Sequence, residues 1–193
     1  MRSHPQRRCR PTEKRRSEVP SHRSQHSRPQ PSLVQYPADK SAQSPPCETP
    51  ASSSGKYHPI QELGPDGTIL HTKKVFTLAY ELCRGLGCEN ERDAILSACI
   101  IHDLRKQGLT KTGHTVKNHP DLAVKLVTEV QESTMLLDDE VYKSIKNMVG
   151  YHYGLWSSGT WQKSLSDYTP GELCVYISDY VSSKRCVEVD YRR

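Results

Sequence analysis

Long apolar runs are missing from this chain of 193 residues, which has one phenylalanine, two tryptophans and 34% hydrophobic residues. No window approaches the ~20 apolar residues that a membrane-spanning helix requires. The first residues lack the apolar core of a secretory signal, and their prolines would break the amphipathic helix of an organelle transit peptide. Seven cysteines, Cys9, Cys47, Cys83, Cys88, Cys99, Cys174 and Cys186, form no CxxC pair and are odd in number. A disulfide framework is therefore not expected, and reduced thiols in a cytoplasmic compartment are. Strict alternation of apolar and polar residues, the mark of strands, is also lacking.

Positive charge is unevenly spread. Residues 1–55 carry ten Lys or Arg against four Asp or Glu, whereas residues 56–193 carry seventeen against eighteen. The first segment also holds nine of the thirteen prolines and eleven serines, with Tyr36 as its one aromatic residue. Such a composition cannot bury enough surface to offset the entropy of ordering, so residues 1–55 are expected to be a disordered basic tail. Its arginines at 7, 8, 10, 15 and 16 could displace counterions from phosphates, which makes nucleic acid a conceivable partner of the tail. A solvated extension is the simpler expectation. Residues 56–193 form the expected folded domain.

Within that domain the periodicity is helical throughout. A first helix is expected over 71–86, with Val75, Leu78, Ala79 and Leu82 on one stripe and Gly85 and Gly87 as stop signals. His71 lies one turn before Val75, on the core side. A second helix is expected to start at a capping Asn90, with Ile95, Ala98, Cys99 and His102 facing inward and Asp103 about 100° further round the axis. A polar loop over 105–117 leads to His119 and to Pro120 at a first helical position. Leu122, Ala123, Leu126, Val127 and Val130 form the stripe of a third helix. A fourth is expected over 138–152, aligning Val141, Ile145, Met148, Val149 and His152. The last begins near Pro170 and carries Leu173, Tyr176, Ile177 and Tyr180, with Asp179 at the edge of the stripe. The expected architecture is all-α, a bundle of about five main helices.

Four histidines, His71, His102, His119 and His152, thus sit on or at the ends of apolar helix faces. One such residue is more often a hydrogen-bonded core side chain than a ligand. Four, accompanied by Asp103 and Asp179, are costly to bury unless something positive compensates them, as a divalent metal does. Imidazole nitrogens with carboxylate oxygens suit iron, manganese, cobalt, nickel or zinc better than calcium or a structural zinc cage.

The order of His71, then "HD" at 102 and 103, then Asp179 within "YISDYVSSKR", resembles the HD-domain superfamily of metal-dependent phosphohydrolases. "HTVKNHPDLAVKLV" and "IKNMVGYHYGLW" resemble the segments that carry a third and a fourth histidine in members holding two metals. Within the superfamily the chain most resembles uncharacterised phage and bacterial HD proteins of this size. The resemblance covers about residues 68–187. It implies that His71, His102, Asp103 and Asp179 bind one divalent metal, with Asp103 bridging to a second held by His119 and His152. Lys106, at the place of "HDxxK", would contact phosphate, or would simply favour the negative end of a helix. His114 would replace His119 as a ligand, contact a phosphate, or be solvated.

What the resemblance implies chemically is hydrolysis of a phosphate ester or anhydride by a metal-bound hydroxide, with Asp103 and Lys106 as catalytic residues and Lys106 and His114 as substrate-binding ones. A nucleotide is the expected substrate. Tyr151, Tyr153, Trp156 and Trp161 could stack on its base, or could pack the loop over the helices. The competing readings are a catalytically silent HD-type domain that binds a nucleotide or a regulatory partner, and a nucleic-acid binder acting through the tail.

Overall fold

The structure, a computed structural model, describes residues 49–52, 55–110, 113–157 and 160–190. Most of the expected disordered tail, with Cys9 and Cys47, lies outside the described residues. Five α-helices carry the fold: α1 Gly67–Gly85, α2 Arg92–Ile101, α3 His119–Thr134, α4 Asp139–Tyr151 and α5 Pro170–Ser182. Single 3-10 turns at Ile60–Leu63, Glu89–Glu91, Gly154–Trp156 and Leu165–Asp167 join them, and no strand occurs among the described residues. The protein is all-α, as its periodicity predicts.

Helix α2 is the axis of the bundle, packed against α1, α4 and α5, while α3 covers α4. Its inward residues Ala94, Ile95, Ala98 and Cys99 are buried and mostly small, which lets three neighbours approach one short helix. Helices α1 and α5 form the most extensively packed pair. Ala79 and Cys83 on one, and Cys174, Val175 and Ser178 on the other, are fully buried. Cys83, Cys88, Cys99 and Cys174 are buried free thiols, and Cys186 is an exposed one.

Two helix starts have strong local causes. Asp138 caps α4 by accepting the Val141 N–H at 2.9 Å. Thr169 and Glu172 form a reciprocal capping box on α5, with Pro170 in the first turn. Gly67 and Gly150 are fixed by close approach. A Cβ on Gly67 would lie 1.9 Å from the Glu62 carbonyl oxygen, and one on Gly150 would lie 2.1 Å from the Trp161 ring.

Several expectations need correction. Helix α1 starts four residues before His71, anchored by the Thr68 N–H donating to the Thr49 carbonyl at 2.8 Å. Asn90 does not cap α2: it lies in the Glu89–Glu91 turn, and α2 begins at Arg92 without a side-chain cap. On α3 Val124 is buried beside Ala123 and Val127, while Leu122, Leu126 and Val130 are half-buried. Val141 on α4 is exposed. The inward face of α5 is Gly171, Cys174, Val175, Ser178 and Ser182, small residues that permit close packing on α1, and Tyr180 is exposed. Tyr176 is buried but turned to the cavity described below.

Candidate metal centre

Each of the singled-out ligating side chains except Asp103 sits on or at the end of a helix, and Asp103 follows directly on one. His71 occupies the second turn of α1, His102 caps the C-terminus of α2, His119 opens α3, His152 caps the C-terminus of α4, and Asp179 lies in the last turn of α5. The packing of α1, α4 and α5 around α2 brings these positions together. All four histidines and Asp103 are buried, whereas Asp179 is half-buried.

Asp103 is the centre of the cluster. Its Oδ2 lies 3.9 Å from His71 Nε2 and 3.5 Å from His102 Nε2. Its Oδ1 lies 3.5 Å from His119 Nε2 and 4.0 Å from His152 Nε2. Asp179 Oδ1 is 2.9 Å from His71 Nε2 and 3.9 Å from His102 Nε2. One carboxylate therefore turns one oxygen toward each of two histidine pairs, and Asp179 joins the first pair. His71, His102 and Asp103 form one group of ligand atoms within metal-holding distance of one another, and Asp103, His119 and His152 form another.

The backbone decides which nitrogen each ring offers. His102 Nδ1 donates to the Cys99 carbonyl at 2.7 Å, His119 Nδ1 to the Val116 carbonyl at 2.9 Å, and His152 Nδ1 to the Val149 carbonyl at 2.6 Å. A carbonyl only accepts, so the hydrogen is on Nδ1 in all three, and the Nε2 lone pair points into the cluster. His102 Nε2 is buried without a hydrogen-bond partner. His119 and His152 present Nε2 atoms to each other at 3.1 Å. Burial pushes the pKa of both rings down, that of His152 to about 3. Two lone pairs in contact repel unless a cation shares them, and an orphaned buried nitrogen costs desolvation energy. The donor set thus fits a divalent metal.

His71 differs in its surroundings. Its Nδ1 faces Glu62 Oε2 at 3.5 Å and Ser182 Oγ at 3.4 Å. Burial opposes charge on this ring, but the hydrogen bonds to Asp179 and Glu62 outweigh it and raise the pKa to about 9. Burial likewise disfavours charge on Asp103, yet Lys106 and the histidines hold its carboxyl well below the usual range. Lys106 Nζ lies 2.5 Å from Asp103 Oδ2, and the carboxylates of Asp103 and Asp179 keep it an ammonium despite burial.

Glu62, fully buried in the Ile60–Leu63 turn, was not singled out in the sequence. It accepts from His58 Nδ1 at 2.7 Å and lies 2.6 Å from Lys74 Nζ. This network stands behind His71 and turns its Nε2 toward the cluster. The one signal in the sequence is the four-residue spacing of His58 and Glu62, which belongs to no apolar stripe.

A cavity of about 340 Å³ opens onto Asp103, Lys106, His119, His152 and Asp179. Of the four aromatic residues singled out, Tyr153 and Trp156 line it, and Tyr153 packs edge-on against the His119 ring at 4.6 Å. Tyr151 and Trp161 instead pack on each other at 5.1 Å, and Trp161 also packs against the core. His114 is exposed beside Thr115, which lines the cavity. Sequence reasoning passed over Tyr57, His58 and Lys184 in the cavity wall. Cys83, Cys88 and Cys174 form a further cluster of ligand-type atoms, but burial raises the thiol pKa of Cys88 and Cys174, as expected of protonated core side chains.

Fold and cluster together define an all-α protein with buried histidine and aspartate groups able to hold a divalent metal. The HD domain family model matches residues 68–184, more than half of the chain, and the protein belongs to that family. No curated protein and no solved structure matches it. HD domains bind divalent metals and are generally hydrolases.

Proposed function

We infer that the protein is a metal-dependent phosphohydrolase acting on a nucleotide or a related small phosphate ester or anhydride. The observation that carries this reading is the convergence of four histidine Nε2 atoms on the two oxygens of one carboxylate, with His102 Nε2 left without a partner. In this reading His71, His102, Asp103 and Asp179 hold one ion. Asp103, His119 and His152 would hold a second, as in the two-metal members of the superfamily. The helical domain 56–193 carries the activity.

A divalent ion there, when bound, supplies an acidified water and neutralises charge that builds on a phosphoryl group. The chain's own residues do the rest. The carbonyls of Cys99, Val116 and Val149 fix the ring orientations, so little reorganisation accompanies loading. His71, with Glu62 and Ser182 facing its Nδ1, would offer Nε2 to the ion. Lys106, beside Asp103 in the cavity wall, would present its ammonium to the phosphoryl oxygens. His114, next to the cavity-lining Thr115, would serve as a secondary substrate contact. The half-exposed rings of Tyr57 and Trp156 at the cavity wall offer faces on which a nucleobase stacks.

The test is metal analysis of anaerobically purified protein. A screen of nucleoside mono-, di- and triphosphates, cyclic nucleotides and dinucleotides follows, comparing wild type with the H102A/D103A double variant. Metal-stimulated phosphate or nucleoside release that vanishes in the double variant is expected. Equal release by both proteins would sink the enzyme reading, and nucleotide binding without turnover would favour a silent binding domain.

A further inference from the structure

Lys184 lies two residues beyond the end of α5 and lines the same cavity as Asp103 and Lys106. Its Nζ sits 3.6 Å from the Tyr180 ring centroid, 5.6 Å from that of Tyr57 and 5.9 Å from that of Trp156. These rings come from three segments: the stretch before the Ile60–Leu63 turn, the Gly154–Trp156 turn that follows His152, and α5 next to Asp179. Trp156 and Tyr180 stack with centroids 5.4 Å apart at 16°, and Tyr176 continues the stack at 6.1 Å and 25°. Aromatic faces attract an ammonium through their quadrupoles without neutralising it.

That distinction separates Lys184 from three other buried or half-buried lysines, one of them in the same cavity wall. Lys106 is paired with Asp103, Lys74 with Glu62 and Lys163 with Glu172. Among the described residues no carboxylate pairs with Lys184, and it is the one lysine or arginine besides Lys106 in the cavity wall. Rings from these three segments hold the Lys184 ammonium in place, those of Trp156 and Tyr180 on the elements next to His152 and Asp179. A cavity of about 340 Å³ exceeds the needs of a single phosphate.

We propose that Lys184 contacts a second anionic group of the substrate, so that the cavity selects a phosphoanhydride, with two or more phosphoryl groups in series, over a lone phosphate monoester. The assignment rests on the phosphohydrolase reading above and deepens it. Lys106 and the metal ligands meet the group to be attacked, and Lys184 meets its neighbour.

The test is calorimetric titration of the full chain in 0.15 M salt with two magnesium-complexed probes. One is orthophosphate, and the other is imidodiphosphate, whose P–N–P bridge resists hydrolysis. Wild type, K184M and K184R are compared; all share the basic segment 1–55, so differences between them belong to Lys184. Wild type should bind imidodiphosphate at least about tenfold more tightly than orthophosphate. K184M should lose about tenfold for imidodiphosphate and less than about threefold for orthophosphate, and K184R should recover most of the loss. Equal binding of imidodiphosphate by wild type and K184M, or equal binding of both probes by wild type, overturns the assignment. If wild type still releases phosphate from esters in a metal-dependent way, that failure leaves the phosphohydrolase reading standing. A wild type that binds neither probe and turns nothing over removes both.

Discussion

Replacing Glu62 by glutamine keeps the shape of a fully buried side chain and removes its charge. In the native arrangement that charge answers Lys74 Nζ at 2.6 Å, accepts from His58 Nδ1 at 2.7 Å and faces His71 Nδ1 at 3.5 Å. Burial alone would favour the neutral acid, but these three donors hold the Glu62 pKa well below normal, which shows how strongly the pocket is built for a carboxylate. The glutamine carbonyl can still accept from His58, so the dominant loss is the buried Lys74 ammonium left without a counter-charge. Breaking a buried pair from one side costs about 3–5 kcal/mol, a large part of the ~5–15 kcal/mol that holds a domain together. At ~2–4 °C per kcal/mol, Tm should fall by about 10 °C, read by far-UV circular dichroism on the chelator-treated chain. The E62Q/K74M double variant should regain part of that loss, since both charges are then gone. E62Q should also weaken metal affinity about 10–100-fold, because the group that orients His71 is altered. A loss below about 1 kcal/mol, or a double variant no better than E62Q, would refute the description of Glu62 as the buried anchor of His71.

The chelator-treated protein should be most stable near pH 6.5 as far as His71 and His152 decide it. The folded pKa of His71, raised to about 9, gives stability that is complete below ~6.5 and lost as pH rises through 9. The folded pKa of His152, lowered to about 3, gives stability that is complete above ~6.5 and lost as pH falls toward 3. Each contributes at most about 1.4 kcal/mol per pH unit, and urea midpoints that stay flat from pH 5 to 9 would contradict both. G67A should destabilise by about 1–3 kcal/mol, since its Cβ meets the backbone of Glu62 and Ala51, neither of which can rotate away; an unchanged Tm would mean that the close approach is not real. T169A should cost about 1 kcal/mol by loss of the capping box while metal content stays unchanged. K106M should lower kcat/KM about tenfold or more without reducing metal content, whereas lost metal would assign Lys106 to holding Asp103 in place.

The legible parts of this protein are those governed by local spacing. The i, i+3, i+4 pattern of Ile95, Ala98, Cys99 and His102 names the buried face of α2 correctly and delivers His102 and Asp103 to its inner end. Pro120 and Pro170 mark the first turns of α3 and α5 as written. What escaped is set by contacts distant in sequence. Glu62 lies in a turn outside any helix, and its meaning comes from Lys74 and His71 closing over it. The spacing of Leu173, Tyr176, Ile177 and Tyr180 suggests one face of α5, but close packing against α1 selects Gly171, Cys174 and Ser178. That rotation frees Tyr176 and Tyr180 to line the cavity, beside a Lys184 and a Tyr57 that no apolar stripe marks. His71 and Asp179 meet across 108 residues, and only the resemblance in motif order paired them beforehand.

The central claim is that Asp103 serves two histidine pairs at once, Oδ2 with His71 and His102 and Oδ1 with His119 and His152. Its most direct test is the metal stoichiometry, by plasma mass spectrometry, of anaerobically purified wild type, D103N and the H119A/H152A double variant. Wild type should carry up to two transition-metal ions per chain, H119A/H152A no more than one, and D103N markedly less than one. A wild type that binds no transition metal, or a D103N variant that retains the full complement, would contradict it.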